Sequence, residues 1–137
     1  MFKDNDKAIK QGAKAMLDNT IEHDFLIKIK HEAQQAAYEA ATDALFKWYG
    51  GDDLGCCGFA WVNVVPEHKG NTKQGKEERK TLRAMGLVLD WTGKEFQWWN
   101  PCRLSVQNVD SKHAGAVACA KVLKAYGFKA YAGSRLD

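Results

Sequence analysis

Three groups of residues in this chain have types and spacings that could do chemistry. The first is aromatic: Phe59 and Trp61 stand two apart in GFAWVNVV, Phe96 and Trp98 two apart in EFQWW, and Tyr131 lies near the C-terminus. Residues two apart share a face of a β-strand, so these five are expected on one sheet face, where aromatics can stack unpaired bases. The second group is cationic: Lys69, Lys73, Lys76, Arg79, Lys80 and Arg83, with His68, interleaved with Glu67, Glu77 and Glu78. A phosphate backbone could run along such a segment, each neutralised phosphate adding salt dependence; the same pattern also suits a solvated helix face with internal ion pairs. The third is Arg135, two residues before Asp137. Its guanidinium could grip a phosphate or carboxylate bidentately, or pair with Asp137 and finish a sheet edge.

Other chemistries find less support. Gly70-Asn71-Thr72-Lys73-Gln74-Gly75-Lys76 has the spacing of a phosphate-binding loop, but Glu77 follows where a Ser or Thr hydroxyl should hold Mg²⁺. A carboxylate there would repel a nucleotide. Cys56 or Cys57 with Cys102, His113 and Cys119 would make a zinc set only without any close-spaced cysteine knuckle. Vicinal Cys56 and Cys57 would point to opposite faces of a strand. Neither His68 nor His113 falls in a motif with a Ser or Cys nucleophile, and the adjacent pairs Asp52-Asp53 and Glu77-Glu78 do not mark a cleft. The sequence therefore implies no catalytic residue, no metal and no cofactor.

The elements that must position the aromatic and basic groups follow from periodicity. Asp6 to Tyr49 has no proline and is rich in Ala, Lys, Glu and Gln, which predicts a helical arm over residues 1–50 with a break near Asp18-Asn19-Thr20. Ala33, Ala37, Ala40, Ala44 and Trp48, extended by Phe25, Ile29 and Leu45, form its apolar stripe, and Gly50-Gly51 ends it. Gly58 to Val65 reads as a strand closed by Pro66, and Lys76 to Met85 as a helix stopped at Gly86. Leu87 to Trp91 and Glu95 to Trp99 flank a Thr92-Gly93-Lys94 turn. Asp110 or Ser111 could cap a helix that stops at Gly127, and Phe128 to Ala132 makes the last strand. The resulting order, β-α-β-β-α-β over residues 55–137, predicts an α+β domain of ferredoxin-like, split βαβ type with an antiparallel sheet.

In such a sheet Ala60, Val62 and Val64 would face the helices, leaving Phe59, Trp61 and Asn63 on the other side. An apolar face of that size invites a cover. The N-terminal helix lying across it, or a second copy, would supply one. No Lys/Arg-Gly-Phe/Tyr lead of the RNA-recognition consensus precedes any aromatic strand.

At 137 residues with a net charge of +3 and a pI near 8.6, the chain holds one core and is only mildly basic. Residues 1–48 carry seven Lys and Arg against eight Asp and Glu, so any basic patch lies further on. No apolar run approaches a membrane span and the N-terminus lacks a signal-peptide core, which points to the cytoplasm with reduced cysteines.

The segments Gly58-Phe59-Ala60-Trp61-Val62, Trp99-Asn100-Pro101, Val106-Gln107 and Lys112 to Leu123, with the C-terminal block Ala130-Tyr131-Ala132-Gly133-Ser134-Arg135-Leu136-Asp137, resemble a group of small uncharacterised bacteriophage proteins. The resemblance covers roughly residues 30–137, though the basic loop from Glu67 to Gly75 is longer here. It implies a viral origin and expression in a bacterial host's cytoplasm, and assigns no activity or site residue. The expectation is thus a non-enzymatic accessory protein that binds single-stranded nucleic acid through the aromatic face and the basic segment. The alternative is a protein-interaction module that uses its arm to form a homodimer or to capture a host protein.

Overall fold

A computed structural model describes residues 23–137 of the chain; the start of the predicted arm, with its break near Asp18, lies outside them. The described elements are α1 (His23–Tyr49), β1 (Gly58–Val65), α2 (Lys73–Ala84), β2 (Val88–Leu89), β3 (Phe96–Trp99), α3 (Val109–Ala125) and β4 (Lys129–Leu136). Among the described residues the fold is α+β, with three helices and a four-stranded antiparallel sheet in the order β2-β3-β1-β4. β3 is inserted between β1 and β2, the two strands that α2 connects.

Strand β1 is central because its inward residues are small and branched. Ala60, Val62 and Val64 are buried and share a core with Phe96, Leu82, Met85, Leu123 and Ala130. That core also takes in Leu26, Ile29, Ala33, Ala37 and Ala41 of α1. The described half of the arm is thus built into the same core as the domain over 55–137 rather than set apart from it.

α1 runs antiparallel along α3. At one end Phe25 packs edge-on against Tyr126 and the Tyr126 hydroxyl donates to Glu32 at 2.8 Å; at the other the Tyr49 hydroxyl donates to Asp110 at 2.5 Å. Midway the helices mesh through small residues, and a Cβ on Gly115 would stand 2.9 Å from the Ala37 carbonyl oxygen. Close approach of this kind needs glycine and alanine, which is why the stripe favours Ala33, Ala37 and Ala41. The predicted stripe drifts by one residue here, since Ala41 is buried while Ala40 is half-buried and Trp48 exposed. The described part of the arm, from His23 on, does not lie across the aromatic face. Its alanine surface fits α3, on the opposite side of the sheet, better than it would fit flat rings.

α2 begins at Thr72, whose hydroxyl accepts from the Gly75 N–H at 3.0 Å. α3 is capped by Asn108, not by Asp110 or Ser111: its side-chain oxygen accepts from the Ser111 N–H at 2.7 Å. Asp53 fixes that cap from across the fold by accepting from the Gln107 and Asn108 N–H groups. β2 is shorter than predicted, because the Asp90 carboxylate accepts from the Thr92 hydroxyl and from the Lys94 and Glu95 N–H groups and turns the chain early. β4 is longer, pairing with β1 from Lys129 as far as Leu136.

Candidate nucleic-acid interface

The sheet face away from the helices carries Phe59, Trp61, Asn63, Gln97, Trp99, Tyr131, Gly133 and Arg135. Their placement follows from the pairing of Trp61 with Trp99 and Gly133, of Asn63 with Gln97 and Tyr131, and of Phe59 with Arg135. No described element lies over this face, and Phe59, Trp99 and Tyr131 are exposed.

Two sequence-derived assignments change sides, since Phe96, expected on the aromatic face, pairs with Val64 and is fully buried in the core, and Trp98 goes with it. Trp98 pairs with Val62 and packs with Phe96 against the helix-covered core. Trp99 takes its place on the open face. Two consecutive tryptophans fit the strand pattern in either phase, and a slip of one residue exchanges faces; only the register to Trp61 decides between them.

The rings are held in a fixed arrangement. Trp61 and Trp99 have centroids 4.8 Å apart at an interplanar angle of 32°, and Phe59 meets Trp99 edge-on at 6.3 Å. The Trp99 indole N–H donates to Gln97 Oε1 at 3.1 Å, and the Gln97 amide donates to the buried Asn63 Oδ1 at 3.2 Å. This chain of hydrogen bonds sets the ring of Trp99 while leaving its surface in solvent. Trp61 lies deeper and forms the base of the cluster.

Charge is unevenly spread over the face. Beside Phe59 the Arg135 guanidinium lies 5.5 Å and the Lys112 ammonium 5.8 Å from the ring centroid. Lys112 reaches there from α3, almost wholly buried, and donates to the Gly58 carbonyl at 3.0 Å. At the other end the Tyr131 hydroxyl donates to Glu95 at 2.7 to 2.8 Å, and this bond raises the Tyr131 pKa to about 12. The Phe59 end is therefore cationic and the Tyr131 end carries a carboxylate. Lys112 was not legible as a site residue, because nothing in its helical spacing shows that it rounds the end of β1.

The basic segment sits elsewhere. α2 buries Leu82 in the core and holds Arg83 5.3 Å above Phe96, so it lies on the helical side of the sheet. Arg79 is occupied with backbone, donating to the His68 and Gly75 carbonyls at 2.9 and 3.0 Å. Lys69, Lys73, Lys76 and Lys80 are exposed. The sheet thus separates the two surfaces expected to act together, and a ligand lying flat on one does not touch the other.

The loop with phosphate-binding spacing is closed on itself. A Cβ on Gly75 would overlap the Lys69 carbonyl oxygen, and Glu78 accepts from the Glu67 and His68 N–H groups at 2.8 and 3.0 Å. Those two amides, just ahead of the loop, serve the protein's own carboxylate. The zinc set does not assemble either: Cys56 and Cys57 are exposed, Cys102 and Cys119 are buried, and no cluster of three or more His, Cys, Asp or Glu suited to a metal occurs among the described residues.

A cleft of about 440 Å³ opens where the end of β4 meets the start of α3, between Trp48, Asp110, His113, Ser134, Arg135 and Leu136. The Tyr49–Asp110 hydrogen bond stands beside it and raises the pKa of the Tyr49 hydroxyl. None of the described helices is long and apolar enough to cross a membrane.

No family model, no curated protein and no solved structure matches this chain.

Proposed function

We propose that this chain is a non-enzymatic binding protein that holds single-stranded nucleic acid on its open aromatic sheet face. The observation that carries the reading is the Trp99 ring, exposed, stacked on Trp61 and tied to Gln97, beside Phe59 and Arg135. Bases stack on such rings whatever their sequence, each contributing about 1–3 kcal/mol. Arg135 is the cation best placed to meet the accompanying phosphate, with Lys112 behind it. The exposed lysines of Lys69 to Lys80 join only if the strand wraps round the sheet. We read the domain as ferredoxin-like on the strength of β3 lying between β1 and β2, and the phage-like segments suit an accessory protein acting in a bacterial cytoplasm.

A second reading keeps the chain as a protein-interaction module. It is favoured by the outer side of α1, where Ile27, Tyr38 and Phe46 are exposed. The buried alanine stripe is already spent on α3, so this outer side would have to serve as the docking surface.

Titration of a fluorescent oligothymidylate at low and high salt tests the first reading. Binding that weakens with salt and falls by roughly 5- to 150-fold in Trp99→Ala is expected. Absence of binding at low salt, or affinity unchanged from the wild type in both Trp99→Ala and Arg135→Ala, overturns it.

A further inference from the structure

β4 is an edge strand eight residues long. One side pairs with β1 over its whole length, and no described strand pairs with the other. It contains no proline, and its register with β1 runs without a bulge. Long unprotected edges of this kind are templates for another strand.

The ladder fixes which backbone groups are available. The Asp137 N–H donates to the Cys57 carbonyl at 3.0 Å, and on the far side of β1 the Asn100 N–H donates to the Ala60 carbonyl at 2.9 Å. Directly opposed antiparallel residues alternate between bonded and non-bonded pairs, so the odd residues of β4 bond to β1. Ala130, Ala132, Ser134 and Leu136 turn their N–H and C=O groups outward.

We propose that this edge pairs with the same edge of a second copy, antiparallel about a two-fold axis at Gly133. In that register Ala132 meets Ser134 and Ala130 meets Leu136 of the second copy, each pair exchanging two backbone hydrogen bonds. Between them, in the non-bonded positions where side chains come closest, Tyr131 faces Arg135 and Lys129 faces Asp137. Opposite charges and a ring with a guanidinium therefore fall together twice. Moving the axis to Ala132 sets Lys129 against Arg135, two cations; moving it to Ser134 sets Arg135 against Gly133 and Asp137 against Tyr131, which parts both favourable pairs. The middle of the contact is Ala132-Gly133-Ser134, small enough for close approach. Leu136, 66% exposed in the single chain, gains an apolar neighbour in Ala130. The pairing joins two four-stranded sheets into one of eight and runs their aromatic faces together. It does not depend on what that face binds.

Two variants of the full chain, Lys129→Asp and Asp137→Lys, test the register by native mass spectrometry and by gel filtration with light scattering. The wild type should have the mass of two 15.3 kDa chains at high micromolar concentration. Each variant alone sets like charges together twice and should dissociate roughly tenfold more readily, while a mixture of the two should form the mixed dimer in preference to either homodimer. Ala132→Pro removes an outward N–H that β1 does not use, and should give a folded monomer with an unchanged far-UV spectrum. A monomeric wild type, or a dimer that shows no preference for the mixed species, overturns the proposal. Should Ala132→Pro fail to fold, the mixed pair still decides.

Discussion

The indole of Trp61 packs directly on Gly133 of the neighbouring strand, where a Cβ would stand 2.6 Å from Trp61 Cε2. Glycine is a weak strand residue, and this contact accounts for one in the middle of β4. Gly133→Ala should force the indole off its seat and lower stability by about 1–3 kcal/mol, the usual cost of overpacking. Thermal unfolding followed by circular dichroism should show a melting temperature several degrees lower. An unchanged temperature would mean that the indole is free to move.

The hydrogen bonds from Trp99 through Gln97 to Asn63 separate holding a ring from burying it. Gln97→Leu removes the acceptor for the Trp99 N–H and leaves the Asn63 oxygen without its donor. Such a loss costs about 1–3 kcal/mol where the orphaned group is buried. The variant should fold, with faster Trp99 motion by time-resolved fluorescence anisotropy. If the open face binds oligonucleotide, affinity should fall by less than in Trp99→Ala. A ring as rigid as in the wild type would rule out the network as its restraint.

The sequence shows the parts of the fold that depend on short-range pattern. β1 is bounded as predicted, because alternation between Ala60, Val62, Val64 and their outward neighbours is strong and Pro66 closes it. Three features depended on partners distant in the chain and could not be read. The phase of Trp98-Trp99 is set by Trp61, nearly forty residues away. The run of β4 through Gly133 to Arg135 is licensed by Trp61 and puts the guanidinium opposite Phe59. The Asn108 cap is chosen over Asp110 because Asp53 accepts from its N–H and the Leu54 carbonyl accepts from its amide. Opposing alanines on α1 and a glycine on α3 likewise decide where the arm lies, and helical periodicity alone does not name the surface it seeks.

The cysteines divide by environment. Burial pushes the Cys119 thiol up to about 12 and raises Cys102 as well, whereas Cys56 and Cys57 are exposed. The thiolate is the reactive form. Ellman's reagent under mildly alkaline native conditions should therefore titrate two of the four thiols quickly, and all four in denaturant. Cys56→Ser/Cys57→Ser should abolish the fast phase. Fast reaction of four thiols in the native protein would show that the contact between α1 and α3 opens readily.

Three of the four tyrosines are held neutral by the fold, Tyr49 through its bond to Asp110 and, most strongly, Tyr126 and Tyr131. Tyr126 is raised to about 12 by burial and by its bond to Glu32, and Tyr131 to about 12 chiefly by its bond to Glu95. In both the fold favours the neutral phenol, since a phenolate cannot donate to a carboxylate and would repel it. The stability they contribute is complete below the unfolded value near 10 and is lost as pH rises through 12. Denaturant unfolding should accordingly weaken over that window. Tyr126→Phe, which keeps the ring against Phe25 but has no proton to lose, should be less stable than the wild type at neutral pH and should lose less as pH rises. Absorbance at the tyrosinate band should show both groups titrating late in the wild type and one fewer in Tyr126→Phe. Equal alkaline sensitivity of the two proteins would assign the effect to Tyr131, Tyr49 and the buried thiols, and would mean that the Glu32 bond does not hold the end of α1 to α3.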